Sequence, residues 1–141
     1  MHVLVAVDDS DRAMDALTYA LETYPEATIT ALHVLDPRDF SVTGMDSGAF
    51  ANYEAVFDQR EGRAESILAS ANEVAADYGR EIETEVVVGG PSRGIVSYAD
   101  EHDVDHIVIG SHGRTGASRI LLGSVAERVA RRASVPVTIV R

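Results

Sequence analysis

Cysteine and lysine are both absent from this 141-residue chain. Without cysteine there are no disulfides, no thiolate metal sites and no thiol nucleophiles. All 12 basic residues are arginine, so any phosphate bound here is held without lysine. No stretch approaches the roughly 20 apolar residues of a transmembrane helix, and Met1-His2-Val3-Leu4-Val5 does not read as a signal peptide. A soluble, cytoplasmic protein with no membrane partner is expected. No two histidines fall four apart on one helix, so no dedicated metal site is expected either.

Acidic charge, in contrast, is abundant. The formal net charge is −11, with 23 acidic residues. Nonspecific nucleic-acid binding through a basic face is disfavoured by that balance, and no nucleic-acid partner is expected. Dense carboxylates also suit a halophilic protein, which stays hydrated and soluble through them. At about 1 M salt, repulsion of an anionic ligand is screened beyond roughly 3 Å, and local geometry decides binding. Hydrophobic residues form 45% of the chain, enough for one buried core. A single domain over residues 1–141 is expected, with no repeat or linker.

Strands and helices alternate. Val3 to Val7 is a short β-branched run that ends at Asp8-Asp9-Ser10. Ala13, Leu17, Ala20, Leu21 and Tyr24 then share one helical face, with Asp9 or Ser10 as its cap. Thr28 to Leu35 reads as the second strand, closed by Asp36-Pro37. Residues 36–52 show no period and read as a long loop, mobile or a lid. The next helix carries Ile67, Leu68, Ala71, Val74, Ala75 and Tyr78, with Gly79 as its C-terminal cap. Glu83 to Val88 is the third strand. Pro91 opens a helix whose Gly94 implies close packing. Asp105 to Ile109 and Val135 to Val140 are the fourth and fifth strands, Pro136 making the last an edge strand or one that begins pairing after the proline. The pattern predicts an α/β fold: a three-layer domain with a five-stranded parallel sheet and helices on both faces. Ligands of such sheets sit beyond the carboxyl ends of the strands, here after the first, second and fourth.

One of those segments has the chemistry for phosphate. Gly110-Ser111-His112-Gly113 opens a glycine-containing stretch that ends at Gly123-Ser124, where a helix begins. Glycines let backbone approach a ligand closely. A helix start offers free N–H groups and a positive dipole end. Spacing alone would admit any nucleotide. A second motif, Gly90-Pro91-Ser92-Arg93-Gly94, matches the nucleophile elbow of serine hydrolases. A proline-initiated helix explains it without catalysis.

Gly110-x2-Gly113-x9-Gly123-Ser124 resembles the ATP-binding signature of the universal stress protein family. Val5-Ala6-Val7-Asp8-Asp9-Ser10, Leu32-His33-Val34 and the closing Ser134-Val135-Pro136-Val137-Thr138-Ile139-Val140 match as well, so the resemblance spans the chain. It implies a Rossmann-like fold of the adenine nucleotide alpha hydrolase type, and ATP as ligand, with Mg²⁺ riding on its phosphates. Asp8 would contact the adenosine, with Ala6 and Val7 beside it. Val34 would meet the adenine through its backbone. Gly110 and Gly113 would pass close to ribose and phosphates, His112 and Arg114 lying between and beside them. Gly123, Ser124 and Val125 would cap the phosphates. The resemblance also implies a homodimer through the last strand, and a nucleotide-dependent stress-response module. Two rivals remain. One is a slow ATPase or a self-phosphorylating enzyme using Ser111, Thr115, Ser118 or Ser124. The other is a structural dimer without nucleotide.

Overall fold

The computed structural model describes residues 1–40, 49–111 and 122–141, without the side chains of residues 39, 40 and 49–53. Five strands form one parallel sheet: β1 (His2–Ala6), β2 (Thr28–Leu35), β3 (Glu83–Val88), β4 (His106–Gly110) and β5 (Val137–Val140). Their order is β3-β2-β1-β4-β5, every pair parallel. The helices are α1 (Asp11–Thr23), α2 (Ala49–Asp77), α3 (Pro91–Glu101) and α4 (Ser124–Arg132).

The order dictates the layers. From β1 the chain steps outward to β2 and β3, then returns across the sheet to β4 and β5. Right-handed crossovers therefore put α1 and α2 on one face, and α3 and α4 on the other. Side chains of β1 and β2 serve both layers by alternation. Val3, Val5, Ile29 and Ala31 pack with α1 residues Ala13 to Leu21 and α2 residues Ile67 to Ala75. Leu4, Leu32, Ile107 and Ile109 pack with Ile95, Ala99, Ala126 and Val129 on the opposite side. Continuous apolar runs in the strands thus follow from burial on both faces.

Three local features match their expected causes. Gly79 ends the turn after α2 at φ +66°, the left-handed conformation glycine adopts without a Cβ penalty. Pro91 occupies the first turn of α3. β5 is an edge strand, and the carbonyl of Pro136, which has no donor to give, accepts from Ile107 N–H at 3.0 Å.

The expected loop at 36–52 is corrected. Pro37–Phe40 forms a 3₁₀ turn, and α2 already begins at Ala49. Once the Ile67 to Ala75 face is packed, extending a helix costs little per residue, so weakly patterned sequence joins it. The lid reading falls on 41–48, outside the described residues. Strand edges moved by one or two residues: β1 is His2–Ala6 rather than 3–7, β4 begins at His106, and β5 at Val137.

His106 gives the fold a pH dependence. It begins β4, its Nε2 2.7 Å from Thr138 Oγ1 on β5 and its ring 5.4 Å from Tyr24 at the end of α1. Burial pushes its pKa below the ordinary 6.5. A depressed pKa means the unfolded chain binds the proton more readily, so stability is full above about 6.5 and falls as pH drops toward the folded value. Urea midpoints measured from pH 7.5 to 5 are expected to fall more in the wild type than in His106→Gln. Parallel curves would assign the loss to other groups.

Candidate nucleotide site

The strand order reverses between β1 and β4, which pair directly with register Val5↔Val108. The chain leaves β1 for β2 on one side and leaves β4 for β5 on the other, so the two connections diverge and open a crevice at the carboxyl ends of β1 and β4. Ala6 ends β1 there with Val7 and Asp8 just beyond it, Val34 is the last residue but one of β2, and Gly110 ends β4. Gly123, Ser124 and Val125 reach the same edge because Gly123 N–H donates to Ser111 C=O at 2.6 Å, while Ser111 N–H donates to Val140 C=O at 2.7 Å. Of the eleven residues expected at the site, these eight are brought to one end of the sheet. His112, Gly113 and Arg114 lie outside the described residues.

Asp8 is half-buried, and its Oδ1 accepts from both Ser10 N–H (2.8 Å) and the Ser10 hydroxyl. Ser10 is the cap of α1, its Oγ accepting from Ala13 N–H at 3.2 Å. Of the two expected cap candidates, then, Ser10 is the one used. Asp8 instead clamps the cap, which fixes the carboxylate while Oδ2 makes no hydrogen bond among the described residues. A carboxylate only accepts, so Oδ2 suits a hydroxyl donor such as a sugar.

At the other side of the crevice, α4 begins without a side-chain cap. Gly123 is the cap residue, with φ −62° and ψ 151°. Its carbonyl accepts from Glu127 N–H at 3.0 Å, but it has no side chain to satisfy the N–H groups of the first turn. Those donors, with the positive end of the dipole, suit an anion. Ser124 is exposed and Val125 half-buried against the core of this layer.

Two contributions were not foreseen in the sequence, and a third, the close packing at Gly94, was expected without its partner. His33 reaches Val7, its Nδ1 2.8 Å from the carbonyl oxygen. A carbonyl only accepts, so Nδ1 carries the proton. Asp36, 9% exposed at the end of β2, receives Arg38 through its backbone N–H (3.0 Å), Nε and Nη2 (2.7 Å to Oδ2). Those side-chain hydrogen bonds hold the Asp36 carboxyl below its ordinary 3.8. The third is the footing of Val34. A Cβ on Gly94 would stand 3.1 Å and 3.2 Å from its two methyl carbons, which gives the expected close packing its partner.

Gly110 also has a reason of its own to be glycine. A Cβ there would lie 2.9 Å from the carbonyl oxygen of Arg12 and 3.0 Å from its carbon, so the first turn of α1 rests against this strand end.

The hydrolase motif dissolves into a helix start. Ser92 is buried in the first turn of α3, and Gly94 N–H donates to Gly90 C=O at 2.8 Å. Among the described residues, no hydrogen bond joins Ser92 to a histidine, and no group of three His, Asp or Glu side chains is arranged for a metal. No helix among them is long and apolar enough to cross a membrane.

The family model described as "Universal stress protein family" matches residues 1–141. The chain belongs to that family. It is 33% identical to universal stress protein MJ0531 of Methanocaldococcus jannaschii over 141 residues, 99% of this chain and 81% of that protein. The solved structure of MJ0577, from the same organism, has a TM-score of 0.84 at 30% identity, covering 99% of this chain and 94% of that one. The universal stress protein of Archaeoglobus fulgidus in complex with dAMP has a TM-score of 0.68 at 28% identity, covering 100% and 98%. The sheet order and the three layers of this chain are those of a universal stress protein.

Proposed function

We propose that this universal stress protein binds ATP in the crevice between β1 and β4 and works as a nucleotide-dependent module of the stress response. The observation that carries the reading is the uncapped start of α4, held beside the switch point by the Gly123–Ser111 hydrogen bond. The site is polar in one sense. Asp8 offers an acceptor on the β1 side, and α4 offers donors on the other. A nucleotide fits that polarity with its ribose hydroxyls on Asp8 and its phosphates at Gly123, Ser124 and Val125. Ala6, Val7 and Val34 would border the nucleoside, with the backbone of Val34 facing the base. Gly110, His112, Gly113 and Arg114 complete the set from the glycine signature. The dAMP complex of the Archaeoglobus relative supports an adenine base.

Mg²⁺ would be held by the phosphates and water rather than by a protein cage. The edge position and half-exposed residues of β5 support pairing with a second copy, giving a homodimer. The whole of residues 1–141 would act as one domain, in the cytoplasm.

Mass spectrometry of small molecules released by heat from freshly purified protein, kept in high salt, tests the reading. Stoichiometric ATP or ADP is expected, and protein stripped of it should rebind ATP in preference to GTP. Empty protein that ignores added nucleotide would leave the fold intact and overturn the function.

A further inference from the structure

We infer that His33 is a positioning residue: its imidazole takes the Val7 carbonyl out of the sheet ladder, leaving the backbone N–H of Val34 open for an adenine base. The inference rests on the adenine-nucleotide reading above.

The ladder itself shows the displacement. Val7 N–H donates to Leu32 C=O at 2.9 Å, one rung beyond the Ala6↔Leu32 pair that ends β1. In a parallel ladder, a residue that donates to one carbonyl accepts, through its own carbonyl, from the N–H two residues further along the partner. The next rung would therefore run from Val34 N–H to Val7 C=O. Among the described residues that bond is not made, and the Val7 carbonyl accepts from His33 Nδ1–H at 2.8 Å.

Backbone groups alternate sides along a strand. Leu32 C=O faces β1, and Leu35 C=O faces the β3 side, where Gly89 N–H donates to it at 2.9 Å. Val34 therefore turns its N–H and C=O toward β1, just past that strand's end and into the crevice. Its side chain is meanwhile fixed from behind by Gly94 of α3. A backbone donor left unpaired at a strand end is costly unless something completes it.

The pattern selects a base. The Watson–Crick edge of adenine offers an acceptor at N1 and a donor at N6, matching a peptide N–H and C=O. Guanine presents a donor at N1 and an acceptor at O6, so both contacts become unpaired groups. The histidine thus acts on the base without touching it.

Three variants and two readouts test this. In nucleotide-free wild type, the Val34 amide should exchange rapidly with solvent. In His33→Leu the Val7 carbonyl is released, the rung can close, and the amide should become protected. ATP affinity should fall about tenfold, the scale of one hydrogen bond, and the preference for ATP over GTP should shrink with it. His33→Asn places an amide donor where Nδ1 stood and should restore both, whereas His33→Gln should not. A merely structural role for His33 would lower stability without protecting Val34 or shifting base preference. A Val34 amide already protected in the wild type would overturn the inference by itself, even where no His33 variant folds. Failure of the wild type to bind any adenine nucleotide would instead overturn the functional reading, and the inference about the base with it.

Discussion

Gly123→Val is expected to lower ATP affinity by at least about a hundredfold, or roughly 2.7 kcal/mol, while the protein stays folded. At φ −62° and ψ 151°, Gly123 sits in extended backbone that any residue adopts. Nothing in the chain's own conformation requires glycine there. With no side chain, Gly123 caps none of the first-turn N–H groups of α4, and an isopropyl group would be added beside them. The fold should lose no more than about 1 kcal/mol, the usual difference between glycine and an apolar residue at a helix cap.

Gly123→Ser sharpens the test. A serine at this position can accept from the N–H of Val125 or Ala126, as Ser10 does from Ala13 in α1. It should raise thermal stability slightly and still weaken ATP, because cap and phosphate compete for the same donors. Titration calorimetry and thermal melts on the three proteins measure both quantities. Wild-type affinity in Gly123→Val would move the phosphates away from α4.

How much of this was legible beforehand differs by residue. β2 was readable to its bounds, Thr28–Leu35, because a β-branched run closed by Asp36-Pro37 leaves few alternatives. The turn at Gly79 and the close contact at Gly94 were readable because glycine in or beside a helix needs a local reason, and both had one. The start of α2 was not readable. Its early residues lack the stripe of Ile67 to Ala75, and a helix extended from a packed segment need not announce itself in local pattern.

At the site, the strand ends and the cap region of α4 followed from alternation and glycine spacing. His33 did not, although a signal was present: a polar ring in an otherwise apolar run, one residue before Val34. Its meaning depends on which carbonyl it reaches, and that is set by the register of β1 against β2, which no single segment contains. Asp36 was taken as a strand terminator, and its hold on Arg38 two residues on appeared only in the structure.

Gly110→Ala should act first on the fold, destabilising it by about 1–3 kcal/mol, and should weaken ATP through Gly110's own place at the site less than Gly123→Val does. The two glycines belong to one signature, yet they answer to different neighbours. The added methyl at Gly110 would meet the Arg12 carbonyl at 2.9 Å, and backbone at the start of a helix cannot swing aside as a flexible side chain does. Either β4 or α1 must shift, and the Ser10 cap sits at that same helix start. For a chain of this length the melting temperature should fall by roughly 4–10 °C. Because the phosphate donors of α4 are untouched, saturating ATP should recover much of the loss by mass action. In Gly123→Val the same ATP concentration should leave the melting temperature where it was. Melts with and without nucleotide on both variants decide the matter. If Gly110→Ala melts like the wild type, the contact with Arg12 is not what keeps that position glycine. If ATP stabilises both variants equally, the division of labour between the two glycines is wrong.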